Sequence, residues 1–100
     1  RKNTVLLGQV RELSFDQAER RIARTLLNLA AQYGRPCPEG VRISIRFTHQ
    51  DVAGIINTSR ITTNKVMKRM EEEGILLKRE GRYILRALPA LERLARGEGQ

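Results

Sequence analysis

The sequence predicts an α+β fold that is mostly helical and carries a small antiparallel β-hairpin. Three observations favour this class. Apolar residues recur at helical spacing between Ser14 and Gly34. Two further helical patterns follow, with only a short turn between them at residues 57–59. Directly after the second pattern, residues 75–79 and 82–85 have the composition of two strands joined by a tight turn.

Composition limits the class of protein. The chain has 100 residues, of which 40% are apolar and 30% charged, and this is typical of one globular domain. Cys37 is the single thiol and His49 the single histidine, too few for a disulfide, a structural zinc site or an iron–sulfur cluster. We therefore expect no cofactor in this chain, and we expect Cys37 to be inert.

The charge balance points to a partner. The net charge is +8 and the isoelectric point is about 10.8, which in a small domain favours a polyanion. No apolar run approaches the roughly 20 residues that span a bilayer, and no secretory signal is evident. We expect a cytoplasmic protein that does not enter the membrane, and, because the chain opens with Arg1 instead of Met, a part of something longer.

The first strong helix begins at Ser14, which has capping-box spacing to Gln17. Gly34 ends it, and the prolines exclude a helix from the loop at residues 35–40. Its apolar stripe consists of Ala18, Ile22, Leu26, Leu29, Ala30 and Tyr33. Strict alternation then predicts a half-buried strand at residues 42–47, with Ile43, Ile45 and Phe47 on one face.

The next two helices form a helix-turn-helix. Thr48 caps the first, with Asp51 three residues on, and this helix ends near Ile56. Ser59 caps the second, which runs to Glu73. We expect Ala53 to allow the helices to cross closely, Asn57 to take a left-handed backbone, and apolar residues to fill the space between the helices. Those apolar residues are Val52, Ile56, Val66 and Met70.

A hairpin and a last helix complete the pattern. Glu80-Gly81 suits a tight turn between the strands at residues 75–79 and 82–85. Pro89 fits the first turn of a helix that runs through Ala95 and ends before Gly97. Two adjacent helices followed at once by a hairpin predict a winged helix-turn-helix over residues 14–97, with a frayed tail at 98–100.

The second helix of the motif separates into two faces on a helical wheel. The apolar face consists of Thr63, Val66, Met67 and Met70. The other face consists of Ile61, Asn64, Lys65, Lys68 and Arg69, with Arg60 at its N-terminal edge. Basic residues come early and the acidic run at residues 71–73 comes late, the reverse of what the helix dipole favours. A face that meets phosphates explains this order.

A helix of this kind fits the major groove of DNA. Arg60 is the best candidate to read a base, because its guanidinium can bond two guanine acceptors; Lys65 is second, and Asn64 is a weaker candidate for adenine. The candidate contacts to the DNA backbone are Thr48, Gln50, Ser59, Thr62, Lys68, Arg69, Lys78, Arg79 and Arg82. Lys68 and Arg69 also fit a solvated face, and His49 fits a surface position in a first turn.

The stretch from Phe47 to Leu76 resembles the C-terminal domain of the cyclic-AMP receptor protein / fumarate-nitrate regulator (CRP/FNR) family of bacterial transcription regulators. Thr58-Ser59-Arg60 in the turn and Glu72-Glu73-Gly74-Ile75-Leu76 after the helix carry the resemblance. The run Ala18–Ala30 resembles the family's helix after its hinge. The resemblance covers roughly residues 14–95 and implies that Arg60 is the principal base reader and Lys65 a second basic contact.

The resemblance also implies what lies around this domain. Residues 1–13 would be the end of a dimerisation helix and a hinge, with Leu6, Val10 and Leu13 either in the dimer seam or in the core. The whole protein would be a homodimer whose N-terminal domain senses an effector, a cyclic nucleotide or another small molecule. Its partners would be double-stranded DNA and, as a further candidate, RNA polymerase.

Two residues depart from the family pattern. Ile61 stands where many members carry a glutamate that reads cytosine, so we expect it to contact a thymine methyl group. Asn57 replaces the usual glycine of the turn.

Three alternatives remain at this point. A winged helix that binds protein would show an apolar or acidic face on residues 59–69, whereas this face is basic. A different family of DNA-binding winged helices would change the sensor but not the chemistry of the face. An enzyme is disfavoured, because no nucleophile–base set, carboxylate pair or phosphate loop is evident.

Overall fold

The structure is a computed structural model that describes residues 13–97. Its helices are α1 (Phe15–Tyr33), α2 (His49–Ile56), α3 (Arg60–Glu72) and α4 (Leu88–Ala95). Its strands are β1 (Gly34–Cys37), β2 (Gly40–Ile43), β3 (Leu76–Arg79) and β4 (Arg82–Leu85). The strands form one antiparallel sheet in the order β1-β2-β4-β3. The predicted winged helix-turn-helix is confirmed, with a sheet of four strands beside the helices.

The helix starts follow the sequence predictions. The Ser14 side chain and the Gln17 side chain bond each other's backbone N–H groups, and Thr48 and Asp51 do the same at the start of α2. Ser59 caps α3 by accepting a hydrogen bond from the Thr62 N–H. Such caps satisfy backbone donors that the helix itself leaves unpaired. Each depends on residues three apart, so the local sequence is enough to predict it.

The turn of the helix-turn-helix and the turn of the hairpin both need left-handed backbone. Asn57 has φ 60° and ψ 51°, as predicted, and Asn tolerates this region better than most residues. Glu80 and Gly81 have φ of 56° and 81°. Two successive positive φ angles define the tight turn whose twist suits a hairpin.

The predicted strand at residues 42–47 is wrong in its extent. The strand is β2, which begins at Gly40 and ends at Ile43. At Ser44 both the backbone N–H and the hydroxyl donate to the carbonyl of Tyr33, the last residue of α1, at 2.9 and 2.8 Å. These bonds cap the helix and end the ladder. Ile43 and Phe47 are buried as predicted, whereas Ile45 is 36% exposed.

The segment predicted to be a loop before β2 contains strand β1. Gly34–Cys37 pairs only with β2, opposite Gly40–Ile43. The strand tolerates Pro36 because β1 lies at the edge of the sheet, where the N–H that proline lacks is not needed for a ladder bond. Gly34 does end α1, but with an extended backbone of φ −79°. Its role is steric, because a Cβ there would lie 2.2 Å from the Ala30 carbonyl oxygen.

The core lies where α1 packs against the other helices and the sheet. It includes Val66 and Met70 of α3 together with Val52 and Ile56 of α2, as predicted, and Met67 as well. Leu13 is partly buried and packs against this core. Tyr33, by contrast, is 40% exposed at the end of α1. Leu6, Val10 and the tail at 98–100 lie outside the described residues.

Within residues 13–97, none of the helices combines the length and the apolar character needed to cross a membrane. The longest, α1, carries several charged residues along its length.

Candidate nucleic-acid interface

Helix α3 presents one polar face outward and buries the other. Thr63, Val66, Met67 and Met70 are fully buried against the rest of the domain. The outward residues Arg60, Ile61, Asn64, Lys65, Lys68 and Arg69 are all exposed, as the helical wheel predicted. Ile61 is 68% exposed, a large apolar side chain in the middle of a basic face.

The N-terminus of α3 is an open, positive end of a helix. No acidic residue lies in its first turn. The Ser59 hydroxyl accepts from the Thr62 N–H and donates to the Thr62 hydroxyl, at 3.1 and 3.0 Å. Thr62 therefore keeps its own hydroxyl proton for another acceptor. The unpaired N–H groups and the dipole of such a helix start favour an anion such as a phosphate.

Arg60 is held by a residue of the other helix of the motif. Its Nη1 donates to Oε1 of Gln50, in the first turn of α2, at 3.3 Å. The remaining guanidinium N–H groups are available, and the side chain is exposed. Gln50 is predicted to contact the DNA backbone, and in the structure its side chain accepts this hydrogen bond from Arg60.

A second bridge joins the same two helices. His49 lies in the first turn of α2, as predicted, and is half-buried. Its Nδ1 lies 2.7 Å from Asn64 Oδ1, a contact that the sequence did not predict. With this assignment of the Asn64 amide, its oxygen is occupied and its NH₂ group faces outward as a donor. A donor alone suits the acceptors of guanine or the O4 of thymine as well as adenine N7.

The hairpin β3–β4 is attached to α2 by aromatic rings that sequence analysis did not assign to the site. The Tyr83 ring stacks on Phe47 at 5.0 Å and on His49 at 6.3 Å between centroids. Lys78 lies 5.4 Å above the centroid of the same ring. Burial, with a smaller contribution from Glu71, raises the pKa of Tyr83 to about 12, so its hydroxyl stays neutral. The stack fixes the hairpin beside the helix-turn-helix.

The basic residues of the hairpin differ in whether their side chains already have partners inside the domain. Lys78 is exposed, and its ammonium group lies above the Tyr83 ring. Arg79 forms an ion pair with Glu39 in the turn between β1 and β2. Arg82 is half-buried, and its Nε donates to the Ser44 carbonyl at 2.8 Å. Arg82 therefore has a structural bond that the sequence did not predict.

The C-terminal half of α3 has a different character from its start. Arg69 pairs with Glu73 at 3.1 Å and lies 5.5 Å above the centroid of the Phe15 ring. A groove of about 520 Å³ borders this end and is lined by Phe15, Lys65, Lys68, Arg69, Glu72 and Glu73. Positive charge without acidic neighbours is thus concentrated near Arg60, and mixed charge lies at the far end.

Comparison with known proteins agrees with this geometry. A model of the Crp-like helix-turn-helix domain matches residues 20–94. The cAMP-activated global transcriptional regulator CRP of Salmonella typhimurium is 35% identical over 77 residues, which are 76% of this chain and 36% of that protein. The corresponding regulator Vfr of Pseudomonas aeruginosa is 36% identical over 77 residues, 76% of this chain and 34% of Vfr. The chain thus spans about a third of the length of these relatives.

Solved structures show the same fold. A transcriptional regulator of the CRP family from Thermus thermophilus superposes with a TM-score of 0.69 at 30% identity, covering 78% of this chain and 40% of that one. The CO-dependent transcription factor CooA from Carboxydothermus hydrogenoformans gives a TM-score of 0.75 at 23% identity, covering 81% and 38%. The matched family model, these relatives and the exposed basic helix lead to one conclusion: the chain belongs to the Crp-like helix-turn-helix family and is a DNA-binding domain of the CRP/FNR type.

Proposed function

We propose that this domain reads a specific DNA sequence by placing α3 in the major groove, as part of a dimeric, effector-controlled regulator of transcription. The observation that carries the proposal is the N-terminal half of α3. There Arg60 is exposed, bonded to Gln50, and has no acidic partner within residues 13–97. Arginine bonds guanine O6 and N7 in a bidentate manner, the commonest specific contact in protein–DNA complexes.

We expect the neighbouring side chains to form two groups, one that contacts bases and one that contacts phosphates. Arg60, Lys65, Asn64 and Ile61 face outward from the first turns of α3 and would meet base edges. Thr48, Gln50, Ser59 and Thr62 lie at the starts of α2 and α3 and would meet phosphates. Contacts to phosphates fix the register of the protein on DNA, and contacts to base edges specify the site.

Among the remaining predicted backbone contacts, Lys78 is the strongest candidate, because it is exposed on the hairpin beside the motif. Lys68 is exposed too, but at the mixed-charge end of α3. Arg69, Arg79 and Arg82 already have partners in Glu73, Glu39 and the Ser44 carbonyl. We therefore expect these three arginines to contribute less to DNA affinity than Lys78.

The family supports a dimeric arrangement. Two copies would place their α3 helices in successive major grooves, about 34 Å apart on a near-palindromic site. Residues 1–13 would join the domain to a dimerisation helix, with the hinge near residues 13–16, where Leu13 packs on the core and the capping box at Ser14 fixes the start of α1. An effector bound elsewhere in the whole protein would act through this hinge, in the cytoplasm.

Arg60→Ala tests base reading. On a duplex selected from a random pool, we expect the variant to lose about 1–3 kcal/mol of binding free energy, and on unrelated duplexes to lose little, because a base contact carries specificity. Arg93→Ala is the matched control, since Arg93 is an exposed arginine on α4, which packs against α1. Fluorescence anisotropy measures both.

The rival function is a winged helix that binds protein without reading DNA. It would be favoured if no duplex bound at low salt, or if the selection returned no consensus sequence. Equal losses from Arg60→Ala and Arg93→Ala would mean that only general charge attraction holds the DNA.

A further inference from the structure

Helix α1 carries a second basic surface, separate from α3. Gln17, Arg20, Arg21 and Arg24 lie at spacings of three and four residues and so share one side of the helix. The opposite side carries Ala18, Ile22 and Leu26, which are fully buried in the core. These four residues line a cavity of about 160 Å³, which we call the α1 arginine site.

Two of the three arginines of this site lack the side-chain partners that Arg69, Arg79 and Arg82 have in the described part of the chain. Neither the Arg20 nor the Arg21 side chain forms an ion pair or a hydrogen bond within residues 13–97. Like charges at positions i and i+4, as in Arg20 and Arg24, weaken a helix by a few tenths of a kcal/mol. The repulsion between these like charges thus costs the helix some stability.

The site is also partly fixed in place. Arg24 Nε donates to the carbonyl of Ala95, at the end of α4, at 3.0 Å. This bond anchors the Arg24 side chain against α4 and leaves its terminal nitrogens for another acceptor. Arg20 runs towards the same end, since a Cβ on Gly97 would lie 3.8 Å from its Nε.

We infer that the α1 arginine site binds a phosphate group. Guanidinium forks match phosphate oxygens in a bidentate way, and three of them with a glutamine amide supply donors around one concave space. The cavity of about 160 Å³ has room for a phosphate group, because it is several times the volume of about 30 Å³ that one water molecule takes in the liquid. The phosphate would belong either to a free phosphorylated compound or to the DNA backbone beyond the segment that α3 reads.

Titration of the chain with inorganic phosphate and with pyrophosphate tests this site. The readout is the NMR signal of the arginine Nε–Hε groups, with sodium chloride at equal ionic strength as the reference. We expect saturable shifts of Arg20, Arg21 and Arg24, stronger with pyrophosphate. Arg20→Gln/Arg21→Gln should weaken binding about ten-fold, since it removes two charge-assisted donors. Arg42→Gln, an exposed arginine on β2, should leave binding unchanged.

A second measurement distinguishes the two sources of phosphate. If the DNA backbone fills the site, lengthening a bound duplex at its ends tightens binding for the native chain but not for Arg20→Gln/Arg21→Gln. If a free compound fills it, length has no effect and pyrophosphate still binds the DNA complex. Shifts that do not saturate, or equal weakening by Arg42→Gln, overturn the inference. Arg60→Ala should leave pyrophosphate binding intact, so this test does not depend on DNA reading by α3.

Discussion

Glu19 is a carboxyl buried on α1 where this helix meets α3. Desolvation raises its pKa above the usual value, Arg69 opposes this, and Glu73 and Asp16 add to it. A folded-state pKa above the unfolded value means that folding favours the protonated form. The charged form at neutral pH therefore costs stability, and Arg69 offsets only part of that cost.

Glu19→Gln should raise the free energy of unfolding at neutral pH, because the amide has no charge to bury. The native chain loses stability as the pH rises from about 4 through the raised pKa, whereas the variant does not. The advantage of the variant should accordingly grow from pH 4 to pH 7 and then level off. Urea unfolding at several pH values measures this, and an advantage that shrinks with rising pH would count against the burial argument.

Ile61 is the exposed apolar residue in the proposed base-reading surface. If it contacts a thymine methyl group, replacing that thymine by uracil in the selected duplex should weaken binding by roughly 0.8 kcal/mol, the value of one buried methylene. In a duplex that carries cytosine in place of that thymine, methylating the cytosine at C5 should tighten binding similarly. Competition binding with Ile61→Ala is the control, because the truncated side chain should respond to neither change. Equal responses of the two proteins would place the methyl group against some other residue.

Among the secondary-structure elements, features set by neighbouring residues were predicted correctly, whereas features set by pairing between distant segments were not. Caps at Ser14, Thr48 and Ser59 and the turn at residues 80–81 depend on neighbours along the chain, and the structure confirms them. Strand β1 depends on pairing with β2, whereas Pro36 and the nearby Pro38 predicted a loop. The alternation through Ile45 gave no sign that Ser44 would turn to cap α1.

The same distinction holds for the candidate site. The outward face of α3 follows from its period alone, so its residues were predicted. Bonds between elements were not predicted: Gln50 to Arg60, His49 to Asn64, and Tyr83 to the rings of Phe47 and His49. These contacts join residues 10 to 36 positions apart, and only the packing of α2, α3 and the hairpin brings them together.

Two glycines in different elements test how the helices are constrained. Gly34→Ala should destabilise the domain by about 1–3 kcal/mol, because the new Cβ would lie 2.2 Å from the Ala30 carbonyl oxygen. Gly54→Ala is the matched substitution inside α2, with no heavy atom within 4 Å of the new Cβ. It should stabilise the domain by roughly 0.5–1 kcal/mol, since alanine favours a helix. Thermal and urea unfolding compare both variants, and a neutral Gly34→Ala would contradict the steric role of Gly34.

At the scale of the whole molecule, charge is arranged on two surfaces. The first half of α3 and Lys78 form one basic surface around the helix-turn-helix, and the α1 arginine site forms another. Acidic residues 71–73 lie at the far end of α3, away from its basic start. This arrangement accounts for a net charge of +8 without requiring that every arginine contact DNA, since Arg69, Arg79 and Arg82 have partners inside the domain.

The most direct test of the central claim asks which groove of the duplex the domain reads. In the selected site, 7-deazaguanine removes the N7 acceptor of the major groove, and inosine removes the amino group of the minor groove. We predict that 7-deazaguanine at the guanine read by Arg60 weakens binding by about 1–3 kcal/mol for the native chain and much less for Arg60→Ala, while inosine changes little. Loss with inosine but not with 7-deazaguanine, or with neither base, would contradict major-groove reading by α3.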